Sequence, residues 1–441
     1  MLNIYKAKPK ASLLGKTITF SIDSNDYEVH GISQHEKKIV FVSAALPGER
    51  VQAKVTEDKA AFIKASTVKV LQASPLRITP PCEYARACGG CQLQHLGVTS
   101  QRELKQQGID KLICHQTGLT VLPWQPMLIA DDSGYRRRAR ISIWYDKKQR
   151  QFSVGFRQHA DKHIVAVNHC MVLSPQLAPV FNVLNAVLPQ LQDPMAVTHA
   201  EVLQAGDTAY VILRHIKPIS AHDQTLFVDA WPEAVWLGEA EPGKFCYWHN
   251  TVTPQYQLSE QALTLQFSPN DFIQVNAVLN QQMVSQALSW LDVNSNDVIL
   301  DLYAGIGNFT LALAQRAKTV RALEGVAEMV QQLETNAKVN GLSNVEAYQA
   351  DLHLAWPKTS WNKPDYNKVL LDPARAGAAG AIEQIVRLKP AQILYVSCNA
   401  ATFARDAKML LQNGYTLAKV CGVDMFTHTS HLELMALFSR S

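Results

Sequence analysis

The first seventy residues alternate short runs of β-branched and aromatic residues with turns: TITFSI, KKIVFVSAAL, RVQAKVTE and STVKVLQ, with Leu46-Pro47-Gly48 between two of them. Several short strands at this spacing predict a small β-barrel over residues 10–72. Thr79-Pro80-Pro81 closes it, and a helical stretch follows at 98–117. From about 135 to 265 strand patterns dominate (RARISIWYD, FSVGFRQ, HIVAVNHC, AYVILRHI, LTLQFSP), interrupted by helical segments near 176–191 and 223–231, which predicts a mixed α/β domain. From about 272 the texture changes. A helix at 276–290 leads into the strand VILDLY, a glycine turn and a helix at 308–316. Then come TVRALEG, a helix at 327–340, VEAYQAD, KVLLDP, a helix at 379–387 and AQILYVSC. Strand–helix alternation of this kind specifies a mostly parallel, doubly wound sheet. VILDLY is nearly all apolar, as a strand buried on both faces must be.

At 441 residues the chain has room for three such domains. With 47% hydrophobic and 18% charged residues it can fill their cores, which excludes disorder as a description of the whole. No run reaches the ~18 apolar residues of a membrane span. The segment MLNIYKAKPKASLLGK has no apolar stretch of the secretory type, so a cytoplasmic protein is expected. The net charge of +4 hides an asymmetry: residues 1–170 hold 25 Lys+Arg against 14 Asp+Glu, whereas 171–441 hold 17 against 24. A basic front half suits a polyanionic partner, and the run Arg136-Arg137-Arg138-Ala139-Arg140 is its densest point.

The turn Asp301-Leu-Tyr303-Ala-Gly305-Ile-Gly307-Asn308 sits between the buried strand and a helix. Its glycines let a ligand approach the backbone, and the helix start offers free N–H groups. It lacks the third glycine of the dinucleotide fingerprint. Glu324, ending the second strand, is placed to accept from ribose hydroxyls, and Asp351, ending the third, is a candidate for an adenine edge. Together these features look like a class I S-adenosylmethionine methyltransferase. Asp372 in Leu371-Asp372-Pro373 and Cys398 in Ser397-Cys398-Asn399 end the fourth and fifth strands and face the same crevice. A methyltransferase needs a thiol when the acceptor carbon is not nucleophilic. A thiolate adding to C6 of uracil turns C5 into an enolate carbon that can take a methyl group.

These motifs, with Phe272-Ile-Gln274-Val-Asn276 and His431-Leu-Glu433, strongly resemble the RNA uracil-C5 methyltransferases. The resemblance implies Cys398 as nucleophile and Glu433 as the base that removes the C5 proton. It implies Gln274, Tyr303, Asn308, Glu324, Asp351 and Asp372 around S-adenosyl-L-methionine, and Phe272 with Asp372 around the substrate base.

Cys82, Cys88 and Cys91, with Cys170 downstream, form an S4 donor set that could hold zinc or an iron–sulfur cluster on chemistry alone. The set is similar to that of the ribosomal RNA members of the family, which implies a [4Fe–4S] cluster, with Cys114 the competitor for the fourth position. The N-terminal barrel is similar to a TRAM domain, an OB-like RNA-binding module. The implied fold class is therefore multidomain α/β. A TRAM barrel covers 10–72, and a central α/β iron–sulfur domain covers 76–92 and 125–267. A Rossmann-like class I methyltransferase domain covers 93–124 and 268–441. The implied partner is 23S ribosomal RNA and the implied target uridine 1939, with no membrane and no obligate protein partner. The same chemistry on another 23S uridine or on tRNA is the first alternative. An iron–sulfur RNA-binding protein with a vestigial transferase site is the second.

Overall fold

The computed structural model describes residues 12–159, 161–354, 356–357, 359–362 and 365–440, so residues 10 and 11 of the expected barrel lie outside it. The chain divides into two compact units, Met1–Pro81 with Gln92–Lys111, and Cys82–Cys91 with Leu112–Ser441.

The first unit is built on β1 (Thr17–Ser21), β2 (Ser24–Asn25), β3 (Gly31–His35), β4 (Lys38–Ser43), β5 (Arg50–Asp58) and β6 (Phe62–Gln72). They lie in the order β1-β5-β6-β4-β3-β2, and only the β4–β6 pair is parallel. Alternation turns Val40, Val42, Val51, Ala53, Val55 and Ile63 into one core. The helix α1 (Val98–Thr117) begins in this unit. Gln101 Nε2 donates to the carbonyls of Leu93 and Leu96, and Asn25 Nδ2 donates to that of Leu104. Gly108 lies so close to the barrel that a Cβ would stand 2.4 Å from the Asp26 carbonyl oxygen. Residues 92–111 are thus tied to the barrel. Of the segment 93–124 expected beside the catalytic domain, it is the far end that lies there: Trp124, with Leu128 just beyond, bridges to Val420 and Val423.

The second unit contains two sheets. The central one joins β7 (Arg138–Asp146), β8 (Gln151–Arg157), β9 (Ile164–Ala166), β10 (Val197–Ala205), β11 (Thr208–His215), β12 (Val235–Glu241) and β13 (Lys244–Tyr247) in the order β13-β12-β11-β10-β7-β8-β9. The helices α2 (Val180–Val187) and α3 (Ala221–Ala230) share a core with one of its faces, through Phe181, Leu184, Phe227 and Trp236. From the other face Leu203, Tyr210, Ile212 and Leu237 enter the core of the C-terminal half. A hairpin of β14 (Gln255–Leu258) and β15 (Leu263–Gln266) links the two sheets in sequence.

The C-terminal sheet comprises β16 (Val298–Leu302), β17 (Thr319–Glu324), β18 (Val345–Gln349), β19 (Lys368–Leu371), β20 (Gln392–Ser397), β21 (Thr416–Val423) and β22 (Glu433–Ser439). Its order is β18-β17-β16-β19-β20-β22-β21. The first five run parallel and β22 is antiparallel to both its neighbours. The helices α4 (Ala277–Leu291), α5 (Thr310–Ala314), α6 (Ala327–Val339), α7 (Ala379–Leu388) and α8 (Ala400–Gln412) punctuate it. Asn276 caps α4 and Asn399 caps α8, each through its side-chain oxygen. The strand order reverses at β16, so the crevice outside the carboxyl ends of β16, β19 and β20 is where this topology binds ligands. Among the described residues, no helix is long and apolar enough to cross a membrane.

Candidate active site

The turn after β16 forms the floor of the crevice. Tyr303, Gly305 and Gly307 all take positive φ (62°, 55° and 100°). At Gly307 a Cβ would press on Leu311 and Leu333 at 3.2 Å, whereas at Gly305 it would meet nothing within 4 Å. Gly307 is thus demanded by α5 and α6 packing beneath it, and Gly305 leaves open space above the backbone. The Glu324 carboxylate accepts from the backbone N–H of Gly305 at 3.0 Å, Gly325 at 2.7 Å and Val326 at 3.0 Å, tying the tip of β17 to this turn. Asp351 is exposed at the end of β18, where it accepts from the His353 N–H. Asn308 differs from expectation. Its amide is occupied by the Tyr256 hydroxyl at 2.9 Å and by a reciprocal pair of bonds to Asn280. That side chain fastens the hairpin and α4 to the turn.

Cys398 stands directly after β20, half-buried, with Asn399 capping the helix behind it. Ser397 pairs with Leu434 across β22, so Glu433, the first residue of that strand, is brought opposite Cys398. Glu433 is 4% exposed and its Oε2 is buried without a partner. Burial first, then the nearby Asp372 charge, pushes it up to about 8. Burial alone raises Asp372 to about 7. Asp301, 1% exposed under the turn and accepting from Thr310 Oγ1 at 2.5 Å, is pushed up to about 7 as well. The Cys398 thiol rises to about 11, through burial and then the charges of Glu433 and Asp372, with Arg375 opposing. Glu433 is largely protonated and Asp372 partly so at neutral pH, so their share of the thiol's shift is smaller there than if both were ionised.

The three carboxyl groups bind protons more tightly folded than unfolded. Their stabilisation is complete below about pH 4 and is lost as pH rises through 7 to 8. Glu433→Gln removes that penalty. We therefore expect the variant to melt higher than the parent at pH 8.5 and to gain nothing at pH 5, by thermal denaturation of both proteins at each pH.

Phe272 projects into solvent at 66% exposed, on the loop between β15 and α4. Gln274 Oε1 and Asn276 Nδ2 are buried there without partners. The arginine run fixes this loop. Arg137 Nε donates to the Gln274 carbonyl at 2.7 Å while its guanidinium lies over the Tyr256 ring at 4.7 Å. Arg138 donates to the carbonyls of Asp271 and Pro269 and pairs with Glu201. Two of the four arginines expected to meet a polyanion are thus internal supports, and Arg140 is the exposed one. No sequence pattern distinguishes them, because all four lie in one short run at the entry to β7.

Of the cysteines, Cys82, Cys88, Cys91 and Cys170 all fall in the second unit. Burial raises the thiols of Cys88 and Cys170. Cys82 and Cys170 raise Cys88 further, and Cys82 does the same to Cys170. Backbone N–H groups point at these sulfurs, Gly90 to Cys88 at 3.4 Å and Val172 and Leu173 to Cys170, the environment in which iron–sulfur thiolates are held. Among the described residues no three thiol sulfurs lie within 4.8 Å of one another. A single tetrahedral zinc, with Zn–S of ~2.3 Å, would draw them to about 3.8 Å. The donor set fits a larger polynuclear centre better than one ion.

A doubly wound sheet with an acid-tipped second strand and an open glycine turn defines a class I methyltransferase fold, and a thiol facing a buried acid lies in its crevice. The model of the tRNA (Uracil-5-)-methyltransferase family matches residues 103–351 and 357–441, and that of the TRAM domain matches 11–68. The chain belongs to this RNA uracil-5-methyltransferase family. It is 43% identical to the 23S rRNA (uracil(1939)-C(5))-methyltransferase RlmD of Photorhabdus laumondii, covering 96% of each chain. It is 40% identical to the RlmD of Mannheimia succiniciproducens over the whole of both. Among solved structures, the tRNA (uracil-54, C5)-methyltransferase of Pyrococcus abyssi in complex with S-adenosyl-L-homocysteine shares the fold. The TM-score is 0.74 at 22% identity, over 95% of this chain and 99% of that one.

Proposed function

We propose that the protein methylates C5 of uridine 1939 in 23S ribosomal RNA. The observation that carries the reading is the strand register that sets Glu433 against Cys398 beside Asp372. The 40–43% identity to enzymes named for that nucleotide supports the choice of substrate. Phe272 stacks on the extruded base, and Asp372, whose burial favours its protonated form, donates to it. Gln274, Tyr303, Glu324 and Asp351, with the Asn308 backbone, surround S-adenosylmethionine.

The Cys398 thiol gives up its proton to solvent, the sulfur bonds to C6, and the C5–C6 π pair moves into an enolate on O4. C5 then attacks the methyl carbon, whose bond to the sulfonium sulfur breaks and leaves S-adenosylhomocysteine. The Glu433 carboxylate takes the C5 proton. The pair released re-forms the C5–C6 double bond and expels the thiolate. Cys82, Cys88, Cys91 and Cys170 hold a [4Fe–4S] cluster, which clasps the loop 82–91 to the central sheet, and the barrel adds RNA contacts. The test is to incubate the protein with S-adenosylmethionine and deproteinised 23S RNA or tRNA, then map 5-methyluridine. Methylation at 1939 is expected. Methylation of tRNA alone, or of another 23S uridine, overturns the assignment.

A further inference from the structure

One face of the central sheet carries chemistry that the transferase site does not use. Cross-strand register sets Ser142 of β7 opposite both Gly155 of β8 and His199 of β10, Trp144 opposite Ser153, and His199 opposite Arg214 of β11. Alternation places Arg140 and Arg157 on the same face as these. At one end of this face Leu203, Tyr210 and Ile212 are buried in the core, but the other end is open, with Trp144 63% exposed. There Gly89, Gly90, Arg140, Arg157, His159 and His199 line a cavity of about 520 Å³.

The charges at this open end are unbalanced. Arg138 is paired with Glu201 and Arg214 with Glu239. Arg140 and Arg157 are exposed, and among the described residues neither has a carboxylate at ion-pair distance. Burial, then Arg140, Arg214 and Arg157, drives His199 down to about 4, so the histidine adds no charge at neutral pH. Each two-residue step along a strand is about 6.8 Å, so Arg140 and Trp144 stand roughly 13 Å apart. One small anion cannot engage both. An exposed indole beside unpaired guanidinium groups suits an unpaired base with its flanking phosphates.

We propose that this face is a second RNA contact, seating a single-stranded segment with phosphates on Arg140 and Arg157 and a base stacked on Trp144. The proposal rests on the reading that the protein acts on RNA.

The test is filter binding of the full chain to deproteinised 23S RNA across a salt series. Arg140→Gln with Arg157→Gln is expected to weaken binding about tenfold and to flatten the log–log salt slope by about 1.4, at ~0.7 per lost phosphate contact. Arg140→Lys with Arg157→Lys should keep the slope, which separates lost charge from lost fold. Trp144→Ala should weaken binding about tenfold and Trp144→Phe should restore most of it. Lys408→Gln, an exposed charge on α8, should change neither. An unchanged slope in the double glutamine variant overturns the proposal, as does equal weakening in the double lysine variant. Millimolar inorganic phosphate abolishing the Arg140 and Arg157 contribution would reduce the site to a small-anion pocket and overturn it too. Binding is read without turnover. A wild-type protein that binds RNA with this dependence yet forms no 5-methyluridine therefore sinks only the transferase reading.

Discussion

Glu433→Gln is expected to leave the RNA covalently attached to the protein, whereas Cys398→Ala is expected to form no adduct at all. The two variants differ in kind because the residues act at opposite ends of the reaction. Without the thiol, C5 never becomes nucleophilic, and methyl transfer should fall by roughly 10⁴-fold or more. Without the buried carboxylate, addition and methylation proceed, but the C5 proton stays and the thioether cannot be expelled. Turnover should then fall by about 10² to 10⁴ while adduct accumulates. A 5-fluorouridine substrate should trap the unaltered protein the same way, since fluorine cannot leave as a proton does. A denaturing gel with labelled RNA reads all three. Methyl transfer by Cys398→Ala would end the covalent mechanism. Normal turnover by Glu433→Gln would move the base elsewhere, with Asp372, raised to about 7, next in line.

Cys170→Ser should cost the protein its iron, and Cys114→Ser should not. Isolated without oxygen, the parent should be brown, with about four iron atoms per chain, each cluster corner taking one thiolate. The choice of Cys170 for the fourth position is supported by the mutual influence of Cys170 with Cys82 and Cys88. Metal analysis and visible absorption of the two variants decide it. Zinc in fresh, colourless protein would replace the cluster with a single-ion site. Iron retained by Cys170→Ser would hand the fourth position to another residue.

The parts of the fold readable from sequence were those set by local pattern. The nearly all-apolar VILDLY and the strand–helix alternation after it gave the parallel sheet directly, and the helix at 98–117 matches α1. What pattern could not give was partnership at a distance. Glu433 reads locally as a carboxylate on an edge strand. It is buried because β22 inserts between β20 and β21, a pairing that no nearby residue announces. Asn308 lies in the right turn for a cofactor contact, yet Tyr256 and Asn280, from elements 52 and 28 residues away, hydrogen-bond its amide. Likewise Arg137 and Arg138 are indistinguishable from Arg140 until the loop at 269–276 is laid over them.

The thiol's surroundings have a further consequence for the protein's chemical durability. Peroxides and disulfides react with thiolates, not thiols. A group pushed up to about 11 is ionised in only about one molecule in 10⁴ at pH 7. Half-burial, with two carboxyl groups beside it, therefore keeps the Cys398 thiol protonated and unreactive at rest. A resting enzyme of this design can outlast oxidant exposure that would consume an exposed, low-pKa cysteine.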